Sequence, residues 1–284
     1  MKNLDVHESK EFSNLKYFTS KIGSDRSLTQ GPGGNISMKL NRHILVKKSG
    51  SLMSEALQKE IFVKLKLSRS IRLIELNIWF LKKFKNEDTP SIESFFHLLI
   101  PDKYVLHLHS VNSVSVAIRK DFFELFKQHP EIICLSYEKP GVKLAKMIAR
   151  VKDMSRIKII LLQNHGLILF GKTIDELEEK ISYFDHIIQG LSLTAVIKES
   201  HNSIKLEQLG GYLTPDHVTF APYFDRELNS DSSDIKLWIG DLKWALQKSL
   251  NYVQLEELLN FLKFEDVTEL SSWQAEKYRI SKNV

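Results

Sequence analysis

The run Lys158-Ile-Ile-Leu-Leu-Gln-Asn-His-Gly-Leu-Ile-Leu-Phe170 leaves this chain little choice of fold. It is apolar almost throughout and too long for one strand, and Gln163-Asn164-His165-Gly166 sets a turn in its middle. Two strands joined by so short a turn must lie antiparallel. A second extended segment, Val105-Leu106-His107-Leu108-His109-Ser110, carries two histidines two residues apart. On a strand, residues i and i+2 point to the same face. His107 and His109 therefore present two imidazoles side by side, either to one metal ion or to a shared hydrogen-bonded site.

Around these segments helices and strands alternate. Leu4 to Ile22 reads as an amphipathic helix with Leu4, Phe12, Leu15 and Phe18 toward the core. Strands are expected at Asn35–Leu40, His43–Lys47, Tyr104–His109 and Ile132–Tyr137. Helices are expected over most of Leu52–Phe84, with a break near Ser68–Ser70, and over Val111–Lys120 and Gly141–Val151. Thr89-Pro90 reads as a helix start, with Thr as N-cap and Pro in the first turn, leading to Ser91, Glu93 and His97. Thr173 to Glu199 is a long helix opened by a Thr173/Glu176 capping box. Several strand pairs are joined by short turns, so the sheet should be mainly antiparallel or mixed rather than doubly wound. The expected division is a domain over residues 1–204 and a mainly helical extension over 205–284. The extension's Leu237-Trp238, Leu242, Trp244-Ala245-Leu246 and Leu255 to Leu262 would pack on the domain or on a neighbouring subunit.

A chain of 284 residues buries a core without staples, and its single cysteine, Cys134, excludes an internal disulfide and suits a reducing compartment. Met1 to Glu8 lacks the apolar region of a signal peptide, and no stretch approaches the ~20 apolar residues of a membrane span. A cytoplasmic protein with no membrane partner is expected. The net charge of +5 is spread among acids with no basic stripe carrying stacking aromatics. That argues against nucleic acid and suits a small anionic substrate or a solvated surface.

Five constellations carry chemistry. Gly31-Pro32-Gly33-Gly34-Asn35-Ile36-Ser37 either is a flexible turn leading into a strand or offers backbone N–H groups and the Asn35 amide to an anion. Val46-Lys47-Lys48-Ser49-Gly50-Ser51 ends a strand with a Ser-Gly turn and a lysine, either a solvated basic turn or a second place for phosphate or carboxylate. Pro90-Ser91-Ile92-Glu93 puts a carboxylate in a helix's first turn, where the dipole favours it and where it can also serve as a general base. The fourth is His107-x-His109, and the fifth is Asn164-His165-Gly166. Two histidines from one strand and a third from a distant turn make a set of nitrogens that leaves coordination positions open, as catalytic zinc requires.

In this order the pieces resemble the class II aldolase/adducin family, from about Phe18 to about Ile188. The resemblance is carried by Gly34-Asn35-Ile36-Ser37, Ser49-Gly50, Pro90-Ser91-Ile92-Glu93 with His97, His107-Leu108-His109-Ser110, Tyr137 before Gly141, and Leu162-Gln163-Asn164-His165-Gly166. Gly33-Gly34-Asn35, Val46-Lys47-x-Ser49-Gly50 and Leu213-Thr214-Pro215-Asp216-His217 look most like the long rhamnulose-phosphate-aldolase-type branch. The resemblance implies an α/β/α sandwich around a mainly antiparallel sheet. It also implies zinc or another divalent metal held by His107, His109 and His165, with Glu93 as acid/base. Gly34, Asn35, Lys47, Ser49, Gly50 and Ser91 would bind the anionic end of a sugar or sugar-phosphate substrate. Tyr137 matches a segment from which such enzymes can draw a proton donor. Family members are commonly homotetramers with the active site between subunits.

Two departures stand out. Fuculose-phosphate aldolases carry a second serine before the glutamate, where this chain has Ile92, and the tail from about Ile235 exceeds the family core. The activity implied is carbon–carbon bond cleavage or formation in a ketose or ketose phosphate. The alternatives are an epimerase or dehydratase of the same family, or a non-catalytic adducin-like module. Epimerases tend to have Asp at the position of Glu93, and adducin heads lack the metal ligands.

Overall fold

The computed structural model describes residues 6–67, 89–194, 204–224, 233–253 and 256–272. Helix α1 (Val6–Gly23) precedes strands β1 (Asn35–Leu40), β2 (His43–Lys47) and β3 (Phe62–Lys66). Helix α2 (Ser94–Leu99), β4 (Tyr104–Leu108), α3 (Val111–Ala117), α4 (Phe122–Leu125), β5 (Ile132–Leu135) and α5 (Val142–Ile148) follow. Then come β6 (Ile159–Leu162), β7 (Gly166–Gly171), α6 (Ile174–Thr194), α7 (Pro215–Phe220), α8 (Ser233–Asn251) and α9 (Phe264–Ser272). The strands form one seven-stranded sheet in the order β3-β2-β1-β4-β7-β6-β5. Every pairing is antiparallel except β5 with β6.

Alternation along the strands builds two apolar layers. Ile36, Met38 and Leu40 of β1 and Leu106 and Leu108 of β4 meet Leu15 and Phe18 of α1 and Leu177 and Phe184 of α6. On the opposite face Ile44, Val46, Val105, Ile160 and Ile168 meet Phe95 and Phe96 of α2 and Leu144 and Ile148 of α5. This is an α/β/α sandwich. The polar Asn35 and Ser37 alternate with the apolar residues of β1 and so look toward the α2 layer. Among the described residues no helix is long and apolar enough to cross a membrane.

Helix α8 packs on α3. Ile239, Leu242, Leu246 and Leu250 recur at helical spacing along α8 and bury against Val114 and Ile118. Leu237 instead lies 67% exposed. The proposed division at 204/205, Leu4 and the end of the Thr173–Glu199 helix fall in or beside residues outside the description, as do Leu255 and the chain after Ser272.

Two expectations about local structure need correction. The helix expected from Leu52 gives way to a short turn of 3-10 helix, Met53–Leu57, and then to strand β3. Phe62-Val63-Lys64-Leu65-Lys66 pairs along the length of β2, and its exposed lysines alternate with buried apolar residues, a period of two. The remainder of that expected helix, residues 68–88, lies outside the description. The helix expected from Thr89-Pro90 starts later, with Glu93 at the N-cap. Pro90 pairs with Lys48 as an extended bridge, Ser49 N–H donates to the Thr89 carbonyl (2.8 Å), and Ser91 N–H donates to the Lys47 carbonyl (3.1 Å). Tertiary pairing overrides the local capping signal and sets Ser91 beside the Lys47–Gly50 turn.

Candidate metal centre and anion cleft

Strand β4 aims His107 out of the sheet beside Phe96, with ring centroids 5.6 Å apart. His109 follows just past the strand's end. The third imidazole sits on the β6–β7 turn, where Asn164 takes a left-handed conformation (φ 55°), which asparagine tolerates well. The Nε2 atoms of the three rings converge: 2.9 Å between His107 and His109, and 3.3 Å between His107 and His165. Glu93 completes the group, its Oε1 3.1 Å from His107 Nε2 and 3.3 Å from His165 Nε2. All four residues are buried, and their ligand atoms lie within 4.8 Å of one another. The N-cap position of Glu93 brings no side-chain capping bond, so the carboxylate serves the histidine cluster rather than the helix.

The outer nitrogens decide what the inner ones can be. His107 Nδ1 lies 2.9 Å from the Leu167 carbonyl, an acceptor only, so Nδ1 carries the proton. His109 Nδ1–H donates to Asp216 Oδ2 at 2.5 Å. Neutral rings so arranged turn two Nε2 lone pairs toward each other at 2.9 Å, a contact that needs a proton or a metal ion between them. Nitrogens bound ~2.0–2.1 Å from one tetrahedral ion stand ~3.3 Å apart, close to the separations here. The residues thus fit a divalent metal ion held by three imidazoles and a carboxylate.

The electrostatics agree. Burial by itself would raise the Glu93 carboxyl, but the adjoining His107 and His165 imidazoles hold it well below the usual carboxylate range. Burial likewise opposes a charged His107, yet Glu93 and the Leu167 carbonyl raise its pKa, the mark of a pocket that favours positive charge. Burial pushes His165 down to about 4 against the pull of Glu93, with His107 and His109 adding to the shift, so that ring is a neutral donor at pH 7. Below the site, His97 Nδ1 shares a 2.8 Å hydrogen bond with Ser37 Oγ, and burial holds this imidazole neutral.

A cleft of about 520 Å³ opens beside Glu93, His109 and His165, walled by Gly33, Gly34, Lys47, Ser49, Gly50 and Ser91. Gly34 takes φ +71°, and a Cβ there would come within 3.0 Å of the His107 carbonyl, so only glycine brings this turn so close to the histidine strand. Lys47 is 1% exposed, and its Nζ donates to the carbonyls of Pro32 (3.1 Å) and Ser51 (2.7 Å), tying the two turns together. Asn35 stands opposite His107 in the ladder, fully buried, with neither amide atom partnered among the described residues.

Tyr137 stands outside the cleft wall. Its ring packs with Val218, Leu262 and Leu270 of the extension, and its N–H donates to Gln163 Oε1. Asp216 stands in the Leu213–His217 segment that carries part of the resemblance, but the sequence gives it no role. Thr214-Pro215 signals a helix start, with Thr214 Oγ1 accepting from His217 N–H, but nothing local points to a histidine 107 residues away.

The family description "Class II Aldolase and Adducin N-terminal domain" matches residues 18–190. The chain belongs to this family. The L-fuculose phosphate aldolase of Methanococcus maripaludis is 25% identical over 174 residues, 58% of this chain and 87% of the relative. The uncharacterized oxidoreductase YuxG of Bacillus subtilis is 28% identical over 188 residues, and the match spans only 27% of that longer protein. Among solved structures, the N-terminal class II aldolase domain of a conserved protein from Thermoplasma acidophilum has 26% identity and a TM-score of 0.55. That likeness covers 67% of this chain and 96% of that one.

Proposed function

We propose that this chain is a zinc-dependent class II aldolase that cleaves or forms a carbon–carbon bond in a ketose or ketose phosphate. One observation carries the reading: Glu93 Oε1 closes a ring of three converging imidazole nitrogens and also forms part of the wall of an anion-friendly cleft. His107, His109 and His165 would hold the ion, with Glu93 as a fourth ligand at rest. When bound, the ion supplies Lewis acidity toward the carbonyl and neighbouring hydroxyl oxygens of the sugar.

The protein's own residues do the rest. Lys47, Ser49, Gly50 and Ser91 bind the substrate's anionic end and set how far its carbon chain reaches toward the histidines. Asn35 contributes a buried amide with both ends available. Glu93 Oε1, ionised as described, takes or returns the proton at the carbon that exchanges its carbon–carbon bond for a carbon–hydrogen bond. Burial of His107 and Glu93 keeps bulk water from that carbon. Ile92, in place of a second serine, leaves more of the anion binding to Lys47. A homotetramer in the cytoplasm is the family-based expectation for the assembly.

The test is direct. Purified chain, stripped of metal and reloaded with zinc, is offered ketose phosphates and unphosphorylated ketoses while aldehyde release is followed. Zinc-dependent aldehyde release is the expected result. Epimerised sugar without aldehyde points to the epimerase alternative. A chain that neither binds zinc nor gains stability from it is an interaction module.

A further inference from the structure

The C-terminal segment reaches the metal centre, although the residues matched by the family end at 190. Asp216, on the first turn of α7, accepts from His109 Nδ1–H at 2.5 Å. We infer that Asp216 is a positioning residue of the metal centre, fixing His109 as the tautomer whose Nε2 faces the ion. The inference rests on reading Glu93, His107, His109 and His165 as metal ligands.

Three features of the structure argue that this contact is built. First, α7 is pinned. Thr214 Oγ1 accepts from His217 N–H (3.1 Å), and the Leu213 N–H donates to His217 Nδ1 (3.2 Å). The carboxylate is thus presented from a fixed turn. Second, room is kept for it. A Cβ on Gly33 would stand 3.2 Å from His109 Nδ1 and 3.3 Å from Asp216 Oδ2, so a side chain there would press on both partners. Third, the carboxylate has little water to turn to. It is 4% exposed and lines both the substrate cleft and a pocket whose wall joins Val114, Leu242, Ala245 and Leu246 to Gln30, Thr214 and Ser249.

The other two histidines are oriented in different ways. His107 is held by a main-chain carbonyl, and His165 Nδ1 has no partner among the described residues. Among the described residues, only His109 has a carboxylate on its outer nitrogen, Nδ1, and such a partner raises a ligand's basicity. It is also the ligand just beyond the end of β4, where the strand's ladder no longer fixes the backbone. The segment beyond the matched residues therefore supplies the restraint that the sheet does not.

A buried ion pair that merely docks α7 would leave metal binding unchanged, and that separates the two roles. Full-length wild type, Asp216→Asn and Asp216→Ala are stripped of metal. Each is titrated with zinc against a chromophoric chelator and with Co²⁺ by visible absorption. Asn can still accept from Nδ1–H, so its zinc affinity should drop several-fold. Ala should lose about 10–100-fold, the usual cost of removing an outer partner. The Co²⁺ spectrum should change in band position or intensity, more for Ala than for Asn. If Ala does not fold, the Asn variant decides alone. Zinc affinity and a Co²⁺ spectrum equal to wild type in a folded variant overturn the inference. A wild-type chain that binds neither ion overturns the metal reading beneath it.

Discussion

Asn164 and Asn260, 96 residues apart, grip each other twice: Asn164 Nδ2 donates to the Asn260 carbonyl and Asn260 Nδ2 donates to Asn164 Oδ1, both at 2.6 Å. Asn164 Nδ2 also donates to the Leu213 carbonyl, and Asn164 is the left-handed residue that precedes His165. The extension therefore clamps the turn that carries the third imidazole. Asn260→Ala removes a donor from a buried acceptor and should cost about 1–3 kcal/mol. Thermal melts of the metal-free protein should show a Tm lowered by several degrees, and an unshifted Tm means the exchange contributes nothing.

Glu93 has no capping duty, so its role is decided by what its carboxylate touches. Glu93→Gln keeps the shape of the side chain and removes the base. Zinc content should stay near stoichiometric while turnover falls by ~10²–10⁴-fold, the usual share of a general acid/base. Single-turnover kinetics on the zinc-loaded variant measure it. Normal turnover would show that Glu93 serves only to neutralise the imidazoles.

Lys47 is a lysine with almost no exposed surface, held by two main-chain carbonyls in the wall of the cleft. Lys47→Met keeps the stem and deletes the charge. KM for a phosphorylated ketose should rise at least about tenfold, the effect of ~1.4 kcal/mol of lost binding, while kcat changes less. KM for the unphosphorylated sugar should hardly move. Equal effects on the two substrates would reduce Lys47 to a tie between turns.

Particular residues show what can be read along the chain and what cannot. The Lys158–Phe170 run forecasts β6 and β7 because a turn inside a long apolar segment has one geometric solution. His107-x-His109 forecasts its shared face because strand alternation is local. Strand β3 is not legible along the chain because Phe62–Lys66 is only five residues long and follows a run of helix-compatible residues from Leu52; pairing with β2 decides its state. The Thr89-Pro90 start failed for the same reason, since the edge of the Lys47–Gly50 turn captured those residues first. Asp216 stayed hidden because its meaning lies in a partner that only the folded chain brings near.

His217 gives the fold an acid limit distinct from the metal ligands. Burial pushes its pKa down to about 4, and its Nδ1 accepts the Leu213 N–H, a bond that only the unprotonated ring can make. The unfolded ring titrates near ~6.5. Between the two values the unfolded chain binds a proton that the folded chain refuses, so stability rises with pH there and falls on acidification. The stabilisation is complete above ~6.5 and is lost progressively as pH drops toward about 4, for a total of at most about 3 kcal/mol. His217→Asn keeps an acceptor for the Leu213 N–H but cannot titrate. Urea unfolding of metal-free wild type and variant from pH 7 to pH 4.5 should show the steeper acid loss in wild type, by up to one proton's slope. Parallel pH profiles would place the acid sensitivity elsewhere in the protein.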